Sequence, residues 1–191
     1  MKSDQKPPES NSAAATPSQM REPVVAVVMG VSGSGKTTIA ALLADMLGCE
    51  FVEGDDLHSP ESVEKMRNGE PLTTADRLPW LHRVASTVDE WLKRGSSGVI
   101  TCSALKRSYR DIIVGGRSGV KLVYLRGSYE LISSRIAERH SHFMPAALLR
   151  SQFDELEEPG EDEPVLVVGV DASPQEIAAD IVDQLQAHQS L

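Results

Sequence analysis

Residues 24–38 read VVAVVMGVSGSGKTT: an unbroken apolar run, a glycine-rich turn, then a lysine and two threonines. An apolar run with no polar alternation is the pattern of a strand covered on both faces, as parallel sheets require. Ile39, Leu42, Leu43, Met46 and Leu47 then recur at helical spacing, and Gly48 stops the helix. Between strand and helix, Gly30-Val31-Ser32-Gly33-Ser34-Gly35-Lys36-Thr37 fits the phosphate-loop (Walker A) pattern G-x-x-x-x-G-K-[ST]. Glycines let backbone N–H groups turn inward around phosphate oxygens, and the helix that follows offers its N-terminal dipole to the anion. Lys36 is placed to reach the β- and γ-phosphates of ATP, the Thr37 hydroxyl to complete a Mg2+ shell, and Thr38 to open the helix.

The pattern repeats outward from this unit. Glu50–Glu53, Val99–Cys102, Val120–Leu125 and Val165–Val170 read as further strands. Leu78, Leu81, Val84, Ala85, Val88, Trp91 and Leu92 mark a long amphipathic helix ending at Gly95. Lys106–Val114 and Tyr129–Arg139 read as helices, and Ser173-Pro174-Gln175-Glu176 is a capping box opening a last one. Strands alternating with helices predict a three-layer α/β domain of the phosphate-loop NTPase type. It should hold a five-stranded parallel sheet, helices on both faces and a lid at about 136–163. Residues 23–191 form this single domain, and residues 1–22, rich in Ser and Pro with Met as their only large apolar residue, read as a disordered leader.

Composition narrows the function. The chain has 191 residues, 19 Lys+Arg against 28 Asp+Glu and a formal charge of -9, which argues against general nucleic-acid binding. No apolar run approaches the ~20 residues of a membrane span. Two cysteines, Cys49 and Cys102, give no disulfide framework and fit a reducing cytoplasm. The guanine-reading Asn-Lys-x-Asp motif is absent, since the only asparagines are Asn11 and Asn68, and the remaining length leaves no room for a second ATPase domain. A small kinase is the favoured class.

Candidate acceptor-side residues cluster in three segments. Glu53-Gly54-Asp55-Asp56-Leu57-His58 follows the second strand, at the sheet edge where ligands bind. A carboxylate there suits a general base or a Mg2+-bound water; a solvated acidic loop is the alternative. Lys106 and Arg110, four apart after the third strand, suggest one helical face and an anionic acceptor, or else a solvated face. Arg135, Arg139, His140 and His142 suit a lid over transferring phosphates, or simple cations at a helix C-terminus. His58, His140 and His142 lack a third ligand at zinc spacing. The acidic run Asp154–Glu163 reads as a solvated loop rather than a docking surface.

MGVSGSGKTT (29–38), GDDLHSPESVEKMRNGEPLTTADRLPWL (54–81), CSALKRSYRD (102–111) and HFMPAALLRSQFDELEEPGEDE (142–163) together resemble the small gluconokinases of the shikimate-kinase-like group. The resemblance covers nearly the whole chain after residue 23. It implies ATP-dependent phosphorylation of the 6-hydroxyl of D-gluconate, feeding the pentose phosphate pathway. In its terms residues 30–38 bind nucleotide, and Lys36, Asp55, Arg135 and Arg139 are catalytic. Asp55, His58, Lys65, Arg77, Lys106 and Arg110 form the substrate wall, and Thr37 holds Mg2+. Homodimers are common in that family. Three positions depart from its pattern: Glu53 where Asp is common, Ser62 where Asn is common, and His140-Ser141 in place of Lys-Gly.

Overall fold

The computed structural model describes residues 20, 22–138 and 146–189. Most of the expected leader lies outside them, as do Arg139, His140 and His142. Met20 and Glu22, assigned to that leader, are tied to the domain. Met20 rests on the core, and Glu22 exchanges backbone bonds with the Gln189 carboxamide.

Five parallel strands, β1 (Val25–Met29), β2 (Glu50–Val52), β3 (Gly98–Thr101), β4 (Val120–Arg126) and β5 (Val165–Gly169), form one sheet in the order β2-β3-β1-β4-β5. The central strand explains its own sequence. Val24, Ala26 and Val28 face α1 (Lys36–Leu47) and α7 (Pro174–His188), while Val25, Val27 and Met29 face α3 (Thr74–Arg94) and α4 (Arg107–Ile113). Successive side chains alternate between faces, so a strand covered on both sides must be apolar throughout. Val27 lies opposite Ile100 and Leu122, which carries the same layering into both neighbours. β5 is one of the two edge strands, and there alternation returns: Leu166 and Val168 are buried while Val167 is 43% exposed. This is the three-layer α/β fold that the sequence predicts.

Three elements depart from the sequence reading. The helix expected from Leu78 begins a turn earlier, at Thr74, because Thr73 and Asp76 form a reciprocal capping box ahead of Pro79. A helix α2 (Pro60–Arg67) follows the acidic loop, capped by Ser59 with Pro at its first position. The lid segment holds a further helix, α6 (Ala146–Glu155), after α5 (Tyr129–Glu138).

One close approach sets the acidic loop against the sheet. A Cβ on Gly54 would stand 1.8 Å from the Thr101 carbonyl oxygen, so only glycine fits. Its N–H donates to Thr101 Oγ1 at 2.9 Å and its carbonyl accepts from Trp80 Nε1 at 2.6 Å. Gly54→Ala must push this turn off β3; thermal unfolding should show a loss of about 1–3 kcal/mol, together with loss of turnover, because Asp55 moves with the turn.

Candidate active site

The phosphate loop leaves the carboxyl end of β1 and enters α1 at Gly35, whose φ of 96° places it in the left-handed region that favours glycine. Gly30, with φ 144°, is equally constrained: a Cβ there would meet the Leu125 carbonyl oxygen at 2.9 Å. Lys36 folds back inside the loop, its Nζ donating to the carbonyls of Gly30 and Val31 at 3.1 Å each. Burial lowers the Lys36 pKa below the ordinary lysine value, and the charges of Asp55 and Glu53 pull it back up. The ammonium therefore rests on neutral carbonyls that a phosphate oxygen can replace.

Glu53 binds both sides of the loop mouth. Its Oε2 accepts from the Thr37 hydroxyl at 2.6 Å, and its Oε1 from the Thr101 hydroxyl. With its hydrogen committed to Glu53, the Thr37 oxygen keeps its lone pairs for a cation. Hard oxygens in this number suit Mg2+, which takes one or two protein oxygens alongside phosphates rather than a protein cage. The described residues hold no cluster of three or more His, Cys, Asp or Glu side chains fit for a metal. Asp55 projects from the 3-10 turn Gly54–Leu57, exposed, with no side-chain partner among the described residues.

His58 closes this side. Its ring stacks on Trp80 at 4.3 Å, and its Nδ1 is buried without a hydrogen-bond partner in the described structure. Burial lowers the His58 pKa, as do Arg77 and Arg83, against the opposing pull of Asp55, so the ring is a neutral imidazole at neutral pH. Arg77 donates from Nε to the Leu72 carbonyl and lies 3.8 Å from Glu155 of α6. Lys65 is paired with Asp76 at 2.8 Å, and the Ser62 hydroxyl meets Ser59. Cys102, behind Lys36, is buried and its thiol is pushed up to about 12, which leaves it inert.

Lys106 and Arg110 do not share a helix face. Lys106 is the N-cap of α4, in extended conformation, with its ammonium 5.8 Å from the Tyr109 ring. Arg110 is buried, 2% exposed, and all three nitrogens of its guanidinium are hydrogen-bonded. Nε and one terminal nitrogen grip both oxygens of Glu163 at 2.6 and 2.8 Å, and the other terminal nitrogen bonds the carbonyls of Ala104, Leu105 and Glu157. Buried and already paired with a carboxylate, it presents no exposed donor to a substrate carboxylate, so Arg110 builds the site rather than binding in it. The acidic run is solvent-exposed at Asp154, Glu157, Glu158, Glu161 and Asp162 but is tied to the domain: Arg107 grips Asp162 through two bonds, the Arg107 N–H donates to Glu157, and the Tyr124 hydroxyl donates to Glu158.

On the nucleotide side, a cavity of about 440 Å³ opens beside the loop, lined by Gly35, Thr38, Ile39, Arg135, Pro174 and Ile177 among others. The structure thus brings Arg135 of α5 to the phosphate loop; Arg139 falls outside the described residues. α6 packs on the loop from above, with Leu149 against Val31. Its Gln152, which the sequence reading passed over, accepts a hydrogen bond from Ser32 N at 2.6 Å. Helical spacing of Leu149, Gln152 and Phe153 within the LRSQF stretch (149–153) was the available signal.

A parallel 2-3-1-4-5 sheet with a phosphate loop on its central strand, an exposed carboxylate across the mouth and α6 packed on the loop defines a phosphate-loop kinase. The model of an AAA-domain family matches residues 25–159. The gluconokinase of Gluconobacter oxydans is 47% identical over 87% of this chain and 93% of its own. The thermoresistant gluconokinase of Escherichia coli is 39% identical over 84% and 92%. The crystal structure of a gluconokinase from Sinorhizobium meliloti superposes with a TM-score of 0.79 at 40% identity, covering 89% of this chain and 95% of that one. The chain belongs to the gluconokinase family of phosphate-loop kinases.

The Arg110 clasp is testable by stability. Arg110→Ala leaves Glu163 nine-tenths buried without its counter-charge, and losing one partner of a buried pair costs about 3–5 kcal/mol. Arg110 also holds the Glu163 carboxyl below the usual carboxylate range. The unfolded chain therefore binds this proton more readily, so the pair's contribution is complete above the ordinary carboxylate pKa of about 4.3 and is lost as pH falls through the lower folded value. In acid-unfolding curves, Arg110→Ala should flatten the dependence over that interval.

Proposed function

We propose that this chain phosphorylates D-gluconate at its 6-hydroxyl with ATP and Mg2+, giving 6-phospho-D-gluconate and ADP. The observation that carries the reading is the full-length likeness to gluconokinases, joined to an intact Lys36, Thr37 and Asp55 around one mouth. The ATP triphosphate lies along residues 30–38, and its nucleoside occupies the cavity bounded by Ile39, Pro174 and Ile177, with Arg135 at the rim. Lys36 exchanges its carbonyl partners for phosphate oxygens. Thr37 holds Mg2+, with Glu53 steering the hydroxyl. Bound there, Mg2+ neutralises charge on the phosphate oxygens.

Gluconate enters between the acidic turn and α6. Asp55, unencumbered at the mouth, accepts the proton of the 6-hydroxyl as that oxygen bonds to the γ-phosphorus and the bond to ADP breaks. Lys106 pairs with the gluconate carboxylate. Neutral His58 and Arg77 line the wall beside it, while Lys65 can join only by leaving Asp76. Arg135 and Arg139 supply lid charge over the transferring group. The reading places the enzyme in the cytoplasm, which two free cysteines support; no helix among the described residues is long and apolar enough to cross a membrane.

ADP release with Mg-ATP should be stimulated by D-gluconate and not by shikimate, AMP, adenylyl sulfate or buffer alone. No gluconate response from folded, ATP-binding protein would refute the substrate. Asp55→Asn should lower kcat by ~10²–10⁴ with little change in KM, and an unchanged kcat removes it as the base. Lys106→Ala should raise KM for gluconate and leave KM for ATP alone; equal effects on both would contradict a carboxylate contact.

A further inference from the structure

Ser32 stands in the bend of the phosphate loop, and its N–H is held from outside the loop. The acceptor is Oε1 of Gln152 at 2.6 Å, on α6 of the lid. A backbone N–H can only donate, so the carboxamide must present its oxygen here, which commits the side chain to one orientation. Among the described residues, the rest of the contact between α6 and the loop is apolar. Leu149 packs with Val31, Leu105 and Ile132, and Phe153 meets the Tyr129 ring edge-on at 5.5 Å. Arg150 lies 3.9 Å from the centre of the same ring. Apolar packing sets the distance between helix and loop but is non-directional. The Gln152 bond is the directional element between them, and it joins the lid to the segment that must take up the γ-phosphate.

We propose that Gln152 is a positioning residue for phosphoryl transfer. By holding the Ser32 N–H it fixes the bend of the phosphate loop and registers α6 against it, so that the lid arrives over the phosphates in one setting. Misplacement of reacting groups by about 1 Å costs ~10²-fold in rate, so a single directional bond at this point carries weight. The inference rests on the kinase reading above and adds to it a residue in the lid.

Gln152→Met keeps the side-chain length and removes the acceptor. It should lower kcat about 10- to 100-fold at saturating ATP, with KM for gluconate within about twofold, because α6 stays docked through Leu149 and Phe153. Gln152→Glu keeps an acceptor at the same reach and should recover most of that kcat at saturating ATP, while its charge raises KM for ATP. The Ser32 amide proton, followed by NMR, should move upfield in Q152M and stay downfield in Q152E. If Q152M does not fold, Gln152→Asn, too short to reach Ser32, carries the same expectation. A kcat for Q152M within twofold of the unaltered chain overturns the proposal. So does a Q152E as slow as Q152M when ATP saturates, or a Ser32 amide that ignores the substitution. An unaltered chain that does not turn over gluconate overturns the kinase reading instead, and the amide shift still reports on the bond.

Discussion

Arg110 carries a charge out of water into the wall of the active site, and much of the surrounding chain is arranged to satisfy it. Removing a guanidinium from solvent costs several kcal/mol unless its donors are matched. Here they are matched by three separate segments: the Glu163 carboxylate before β5, the Glu157 carbonyl after α6, and the carbonyls of Ala104 and Leu105 after β3. Ala104 has φ 45°, the one positive φ among the described non-glycine residues, and a turn so strained needs its carbonyl held. The same ion pair anchors one end of a segment in which five of the seven acids between 154 and 163 face solvent. Arg110, Arg107 and Tyr124 draw Glu157, Glu158, Asp162 and Glu163 back onto the domain.

With that return path in place, α6 has a defined end beside the site. The carboxyl ends of β1, β2 and β3 bring Lys36, Asp55 and Lys106 to one edge of the sheet. Gly54 allows the acidic turn to lie against Thr101, and Trp80 holds that turn from the other face while stacking on His58. Lys36 waits on two carbonyls and Thr37 on Glu53, so the polar groups proposed to meet nucleotide and cation are preorganised but not spent. Such an arrangement lowers the reorganisation needed at the moment of transfer.

The sheet and the phosphate loop were legible because their signals are local. A double-faced strand writes itself as an unbroken apolar run, and a phosphate loop as glycines at fixed spacing before a lysine. α2 and α6 were less legible. Ser59-Pro60 is a fair start signal for α2, but the helix is short and polar, with little apolar periodicity to weigh. α6 buries its apolar face against the phosphate loop and α5 rather than on the sheet, so its partner is invisible in sequence. The spacing of Lys106 and Arg110 suggested a shared face because spacing speaks only for residues already inside one helix, and Lys106 caps α4 instead.

The sequence by itself determined the class of fold, the strand and loop that bind phosphate, the exposed acidic turn and the family likeness, since each depends on residues close together in the chain. Only the tertiary structure decided which charges are free to act. Arg110 and Asp55 are both ionisable residues in segments that reach the same site, yet one is buried in a five-bond clasp and the other stands open at the mouth. That difference comes from partners 50 or so residues away in the chain, such as Glu163 to Arg110. The free energy of a charge is set by what surrounds it in space, and no local spacing records that.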